Sequence, residues 1–329
     1  MSSKEYREHS YASTPTISPT EMTSSPWSSN ILKLVQRLNN FHAAGSSKVH
    51  CKPFVVDGIT VGTILPNVLT QIRKYPDIFA VIKTTDSDEH VTLVPSLLTF
   101  EERTQKVNEV VQEFRKKDLF VTLRGWRDEM YAVGRSFSDR PFFMMERSAA
   151  CLLGITQYGV HLNGYHRDVN GMLFMWVARR SLSKPTYPGK LDQLVAGGIP
   201  CGSNTRETLI KECAEEALIA ESLAANAKPV GTVSYVFEDE RGVFPEVQFV
   251  YDLELPESFT PKASDGEVSD FYYWPISKVK EMIATNEYKF NSALVVLDFL
   301  IRHGEVSPDT EPNYMDFVLG CHRQANWRF

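Results

Sequence analysis

The stretch Gly197-Gly198-Ile199-Pro200-Cys201-Gly202-Ser203-Asn204-Thr205-Arg206-Glu207-Thr208-Leu209-Ile210-Lys211-Glu212-Cys213-Ala214-Glu215-Glu216-Ala217-Leu218-Ile219 decides how this chain is read. It joins a glycine-bearing loop to a strongly helical run. Asn204 stands where a helix N-cap belongs, and Glu207 sits at the capping-box position. Leu209, Ile210, Cys213, Ala214 and Ala217 form an apolar stripe, whereas Glu212, Glu215 and Glu216 fall at i, i+3 and i+4 and share the other face. Three carboxylates this close repel one another. A solvated helix face normally intersperses opposite charges, and the adjacent cation, Lys211, is expected to point elsewhere. A hard divalent cation relieves the repulsion. Oxygen-only ligands with open positions suit Mg2+, with Mn2+ as a substitute. An isolated acidic face of this kind is more often a solvated surface. Here the Gly197-Gly198 pair lets backbone approach a ligand, so that a loop carbonyl, Gly197 first, can complete a metal shell.

Taken together these residues resemble the Nudix hydrolase box: glycine, five residues, glutamate, seven residues, then R-E-U-x-E-E-x-G-U, where U is a bulky aliphatic. The chain places Gly197, Ser203, Lys211, Glu212, Cys213, Glu215, Glu216, Leu218 and Ile219 at those positions. The three metal-face glutamates match. Ser203 replaces a glutamate, Lys211 an arginine, Cys213 an aliphatic and Leu218 a glycine. Losing the helix-ending glycine predicts a helix that runs a turn further.

The surroundings narrow the resemblance. Tyr158 to Tyr165, Trp176 to Ser181, Tyr187 to Asp192, Ala196 to Pro200 and Phe290 to Gly304 are similar to the Nudix branch related to thiamine pyrophosphokinase, which carries a separate N-terminal domain. The likeness covers most of the chain from about residue 50. It implies an α+β chain: a Nudix α/β/α sandwich with a mixed sheet, preceded by a small α+β domain and a disordered N-terminal tail. It also implies a metal-dependent diphosphatase that hydrolyses thiamine diphosphate and its oxidised or oxygen-substituted analogues to the monophosphate plus phosphate, clearing damaged cofactor.

Under that reading Glu212, Glu215 and Glu216 are the metal ligands, with Glu212 and Glu215 as catalytic candidates and Glu212 first to orient the attacking water. A further acid is expected from outside the helix: Glu267 leads, followed by Glu238 and Glu246. Arg179, Arg180 and Lys184 are candidates for substrate phosphate, although consecutive strand residues face opposite ways, so one of the two arginines at most faces the site. Tyr187, Trp176 and Tyr158 could stack on a heterocycle, but strand aromatics are more often core. His161 and His166 lack metal-ligand company, and His161 reads as a hydrogen-bonded strand residue.

The rest of the chain frames this site. Residues 1–28, rich in Ser, Thr and Pro, read as a disordered tail. Ile31, Leu34, Val35, Leu38 and Phe41 share one helical face. Over 29–140 the pattern is a small α+β accessory domain: a hairpin at Asp57-Gly58, a short helix from Val68, strands at Ile78 to Lys83 and His90 to Val94, and a helix boxed by Thr99 and Glu102. No catalytic constellation stands out there. Trp126, Arg127, Asp128 and Glu129 are an unusual cluster, read as a helix-end salt bridge. From 141 to 329 the texture is that of the second domain. Phe142 to Met145 reads as its first buried strand, and Asn163-Gly164 and Asn170-Gly171 as turns.

With 329 residues, 43% hydrophobic and 23% charged, the composition is globular, and a net charge of −6 gives no general basic surface for nucleic acid. No run is long and apolar enough to span a membrane. Five cysteines with no C-x-x-C spacing argue for a reducing compartment. Cytoplasmic location is the expectation, with organellar targeting left open by the Ser/Thr-rich start. The expected partner is a small-molecule diphosphate. Two other readings stay in play: a Nudix hydrolase of another diphosphate such as a dinucleotide or nucleotide sugar, and a non-catalytic binding module. No separate nucleotide-binding P-loop appears.

Overall fold

Apolar residues at helical spacing give helix α1 (Pro26–Leu38) in the computed structural model, which describes residues 24–83, 89–264 and 266–325. Proline at the first turn and the Ser25 side chain, which accepts from the Ser28 amide, start this helix before the expected end of the tail at 28. Residues 1–23 of that expected tail lie outside the described residues.

Strands β1 (Lys52–Val56) and β2 (Ile59–Ile64) form the expected hairpin, with Asp57 and Gly58 both at positive φ. A two-residue hairpin turn demands this, and its twist matches the strands. After α2 (Pro66–Ile72), β3 (Phe79–Lys83) and β4 (Glu89–Leu93) complete a four-stranded sheet of order β2-β1-β4-β3. Helix α3 (Phe100–Lys116) opens with the reciprocal Thr99–Glu102 capping box and buries Val107, Val110, Val111 and Phe114 against that sheet's core. Strands β5 (Met130–Val133) and β6 (Phe143–Glu146) pair antiparallel.

The boundary expected at 140 therefore falls inside a hairpin. Phe143 and Met145 are buried, as a continuous apolar run suggests, but the core they enter is the accessory one, together with Ala150 and Ile155. Apolarity announces burial and does not name the partner.

The second body is built from β7 (Gln157–Arg167), β8 (Leu173–Arg180), β9 (Leu191–Asp192), β10 (Val195–Gly198), α4 (Thr205–Ala217), α5 (Glu221–Ala224), β11 (Lys228–Asp239), β12 (Gly242–Glu254), β13 (Val268–Pro275), α6 (Ile276–Ile283), α7 (Phe290–Arg302) and α8 (Tyr314–Cys321). Its sheet has the order β11-β12-β7-β8-β13, with β10 also on β7 and β9 also on β8. The β12–β7 pair is parallel and the other pairs are antiparallel, so the sheet is mixed. One face carries α4 and α5 over Val160, Leu162, Leu209, Cys213 and Tyr251. The other carries α6, α7 and α8, and also α1, whose Ile31, Leu34, Val35 and Leu38 share a core with Leu297, Phe299 and Phe317. From α1 onward the described chain thus packs first on the second body, leaves it to build the accessory core, and returns.

Asn163-Gly164, expected as a turn, lies within β7. A Cβ at Gly164 would collide with Leu194, and Asn163 Nδ2 donates to Asp252 at 2.9 Å. The glycine serves close packing there. Asn170-Gly171 is a turn, with Gly171 at φ 81°.

Candidate active site

Helix α4 starts at its predicted cap: the Asn204 side chain accepts from the Glu207 amide at 2.9 Å. Leu209, Cys213 and Ala217 are fully buried under it, while Ala214, assigned to the stripe by spacing, is exposed and Thr208 is buried instead. The helix does not run on. Leu218 takes the left-handed conformation, φ 50° and ψ 38°, and its amide bonds to Cys213 O as a C-cap. A branched residue in that region costs ~1–2 kcal/mol relative to glycine. The Leu218 side chain is half exposed, so Leu218→Gly should raise stability by ~1 kcal/mol in urea unfolding, whereas a fall of that size would mean that its packing outweighs the strain.

The three glutamates leave α4 in different settings. Glu215 is exposed and accepts from Lys211 Nζ at 2.6 Å. Lys211 therefore lies over the acidic face and does not point elsewhere, as an i,i+4 partner on one helix side must. Glu212 is half-buried, with Lys211 Nζ at 3.8 Å. Burial pushes its carboxyl above the ordinary range against the pull of Lys211. Glu216 is buried beneath β10, where its Oε2 accepts the Ala196 amide at 2.9 Å, and burial raises it well above the ordinary range despite that bond. Gly197 packs against the Glu212 carboxyl so closely that any Cβ would collide with it.

Among the described residues no three acids, imidazoles or thiols converge tightly enough to hold an ion as they stand. Lys211 draws Glu215 outward, and Glu216 is turned onto a backbone amide. The donor chemistry still fits a hard divalent cation: these are carboxylate oxygens, and two of the three are desolvated acids that a cation would neutralise.

Glu212 and Glu215, but not the buried Glu216, border a cleft of about 930 Å3 that both bodies line. Arg180, Lys184, Tyr187, Glu246 and Glu267 join Glu212 and Glu215 there. Arg180 donates to Asp192 at 2.8 Å and to the Thr186 and Tyr187 carbonyls. Lys184 pairs with Glu267. Burial tends to raise the Glu267 carboxyl, but Lys184 outweighs it and holds the acid below the ordinary range. Glu246, expected from sequence behind Glu267, is a half-buried strand acid that accepts from Tyr235 Oη at 2.6 Å and Gln248 Nε2 at 2.9 Å, and desolvation raises its carboxyl.

Other candidates fall elsewhere. Arg179 lies outside the cleft lining and donates to Gly189 O at 2.7 Å and Tyr272 Oη at 3.0 Å, the outcome strand alternation allows for one of the two arginines. Glu238 faces the N-terminal segment and accepts from the Ser47 amide at 2.9 Å. Trp176 packs against Tyr273 and Phe259. His166 Nδ1 lies 3.1 Å from the Leu255 carbonyl. His161 is a buried strand residue, 3.0 Å from Gln193 Oε1, with its pKa pushed down to about 4 by burial and Lys289.

The largest surprise comes from the accessory core. Tyr131 and Arg147 close on β10 so tightly that a Cβ at Gly198 would strike both, and the Cys201 amide donates to Met130 O at 2.8 Å. The loop before α4 is therefore fastened by a strand of the accessory domain.

Residues 165–294 match a family model described as NUDIX domain, and residues 30–157 match one described as Domain of unknown function (DUF4743). Nudix hydrolase 20, chloroplastic, of Arabidopsis thaliana is 40% identical over 295 residues, covering 88% of this chain and 77% of that protein. Nudix hydrolase 24, chloroplastic, of the same plant is 42% identical over 266 residues, covering 80% and 70%. The chain belongs to the Nudix hydrolase family. Among solved structures, an Ap4A hydrolase binary complex of C. elegans is 14% identical with a TM-score of 0.34, covering 46% of this chain and 99% of that one.

As a Nudix hydrolase the protein acts on pyrophosphate bonds, and members of the family generally use divalent metal ions. Its departures from the Nudix box acquire a physical setting here. Where the box has a loop glutamate and an arginine, this chain has Ser203 and Lys211; Met130 O and the Tyr131–Arg147 pair hold the loop from outside instead. No helix among the described residues is long and apolar enough to cross a membrane.

Proposed function

We propose that the protein is a diphosphatase of the thiamine pyrophosphokinase-related Nudix branch, hydrolysing thiamine diphosphate and its oxidised or oxygen-substituted analogues to the monophosphate plus orthophosphate. The observation that carries this reading is one cleft lined both by Glu212 and Glu215 and by the rings of Tyr187, Phe237, Phe244 and Phe290. A charged diphosphate and a flat heterocycle on one small molecule match those two kinds of lining. The sequence segments from Tyr158 to Asp192 that resemble this branch line or flank the same cleft.

Glu212, Glu215 and Glu216, with the Gly197 carbonyl, would hold Mg2+, or Mn2+ in its place. When bound, such a cation neutralises diphosphate charge and lowers the pKa of a water. Glu212 would orient an attacking water and accept its proton, with Glu215 assisting from the solvent side of the helix. Water adds to the terminal phosphorus as the bridging P–O bond breaks, leaving orthophosphate and the monophosphate. Glu267, braced by Lys184, is the further acid, with Glu246 behind it. Arg180 and Lys184 border the phosphate path, and Tyr187 offers its ring to the heterocycle, held at the site through its own carbonyl by Arg180. We place the protein in the cytoplasm, where five unpaired cysteines are stable.

Orthophosphate release from oxythiamine diphosphate, with and without Mg2+, tests the reading. Metal-dependent release is expected, at a kcat/KM at least tenfold above that for a dinucleotide linked through a diphosphate. No release, alongside efficient cleavage of the dinucleotide, would overturn the thiamine assignment and leave the family intact.

A further inference from the structure

In the cluster Trp126-Arg127-Asp128-Glu129, expected from sequence to be a helix-end salt bridge, Arg127 and Glu129 line the cleft. Its backbone is pinned from several directions. Trp126 Nε1 donates to Asp128 Oδ1 at 2.7 Å, and the Arg115 guanidinium lies 4.5 Å over the Trp126 ring. Asp128 turns the chain at φ 56°. The Arg127 amide donates to Glu146 Oε1 at 3.0 Å, and Glu129 pairs with Arg147 at 2.9 Å. The loop is pinned along its length, and it brings Arg127 and Glu129 to the cleft, Glu129 already paired with Arg147.

Every other cation lining that cleft is already engaged. Arg180 and Lys289 share Asp192, at 2.8 and 3.1 Å. Lys184 pairs with Glu267, Lys211 with Glu215, Arg241 with Asp239, and Arg147 with Glu129. Arg124 pairs with Asp118, and Arg37 sits 3.5 Å over the Phe290 ring. Among the described residues the Arg127 guanidinium alone on this cleft has no hydrogen bond, ion pair or ring partner. It is half-buried: burial and the nearby Arg147 disfavour its charge against the longer-range pull of Glu129 and Glu267, neither of which bonds to it. A half-buried cation with no bonded counter-ion gains from an anion that reaches it.

We infer that Arg127 is the diphosphate-binding arginine of this enzyme, supplied in cis by the accessory domain. The inference rests on the reading of this cleft as a diphosphate site and adds the residue that receives the anion. The body with the glutamate face has committed its own cleft cations to its own acids, or in the case of Arg37 to the Phe290 ring, so the incoming charge needs a donor from outside. A guanidinium fork matches two non-bridging phosphate oxygens, and its five donors are fixed in one plane. Arg127 shares the cleft with Glu212 and Glu215, so a diphosphate held there spans the two bodies. The accessory domain is then half of the active site, and its grip on Gly198 and Cys201 keeps the two halves in register.

The test is calorimetric titration of the full chain with methylenediphosphonate, which is not hydrolysed and carries no heterocycle, in Mg2+. Arg127→Ala and Arg127→Gln are expected to weaken binding tenfold or more at an unchanged melting temperature; Gln keeps part of the stem and loses the charge. Arg103→Ala, which removes a paired accessory arginine outside the cleft, is expected to bind as the natural chain does. Binding within twofold of the natural chain by either folded Arg127 variant overturns the inference, as does a natural chain that does not bind the diphosphonate. Arg127-dependent binding by a chain that leaves oxythiamine diphosphate intact would overturn the substrate reading alone.

Discussion

Glu216→Gln is expected to lower metal-dependent turnover by about 10^3-fold or more while leaving the fold in place. Glu216 is only 8% exposed, and its Oε2 accepts the Ala196 amide. Glutamine has the same shape, and its carbonyl can keep that bond. The change removes charge and little else. A metal that loses one anionic ligand loses affinity and position, and several kcal/mol of transition-state stabilisation correspond to ~10^3 in rate. A second readout separates this from a merely structural role. A buried carboxylate is costly without a counter-ion, so without metal the variant should melt no lower than the natural chain, and higher where burial dominates. Adding Mg2+ should raise the melting temperature of the natural chain and leave that of the variant unmoved. Full metal-dependent turnover by the variant would remove Glu216 from the site.

The second large effect is on stability. Asp192 lies in β9, 7% exposed at the side chain, and accepts from Arg180, Lys289 and the Ser292 hydroxyl. Burial would raise this carboxyl, but Lys289 and Arg180 hold it well below the ordinary range. Asp192→Ala strands two cations where water cannot reach them well, which costs ~3–5 kcal/mol. Urea unfolding at neutral pH measures it, and a loss under ~1 kcal/mol would show that the cations find other partners. The sign with pH follows from the depressed value. The contribution is present above the unfolded carboxylate's pKa and drains away as pH falls towards the folded one. The same variant should also raise KM, because Arg180 holds the Thr186 and Tyr187 carbonyls on the substrate side.

Most elements were legible because their signals are local. The Thr99–Glu102 box, the Asp57-Gly58 turn and the Asn204 cap all act within a few residues, and all three stand where the sequence puts them. The acidic face of α4 was equally readable, since i, i+3 and i+4 is a property of one helix. What failed depends on distant partners. Phe143 and Met145 were rightly read as buried and assigned to the wrong core, because apolarity carries no address. Lys211 was set aside although its stem is long enough to lie over Glu215. The absence of the box's helix-ending glycine at Leu218 suggests a longer helix, yet the chain must reverse there to bring Ile219 into the core. Arg127 stands out in sequence only as part of an unusual cluster, with nothing there that points to the cleft. Its meaning comes from the pairing of every neighbouring cation, and that is visible only in three dimensions.

The position of α1 has a consequence for how the protein is made. Ile31 and Leu34 belong to the same core as Leu297, Phe299 and Phe317, nearly the whole chain away. During synthesis the accessory domain has the strands of both its sheets by Glu146, so it can fold while the ribosome is still reading the second body. Helix α1 leaves the ribosome earlier still and must wait, its apolar face bare, until α7 and α8 emerge. That interval is a window for chaperone capture or for docking onto another copy's helices. An expression fragment starting at 141 would lack this helix altogether and carry the exposed seat of α1 on its surface.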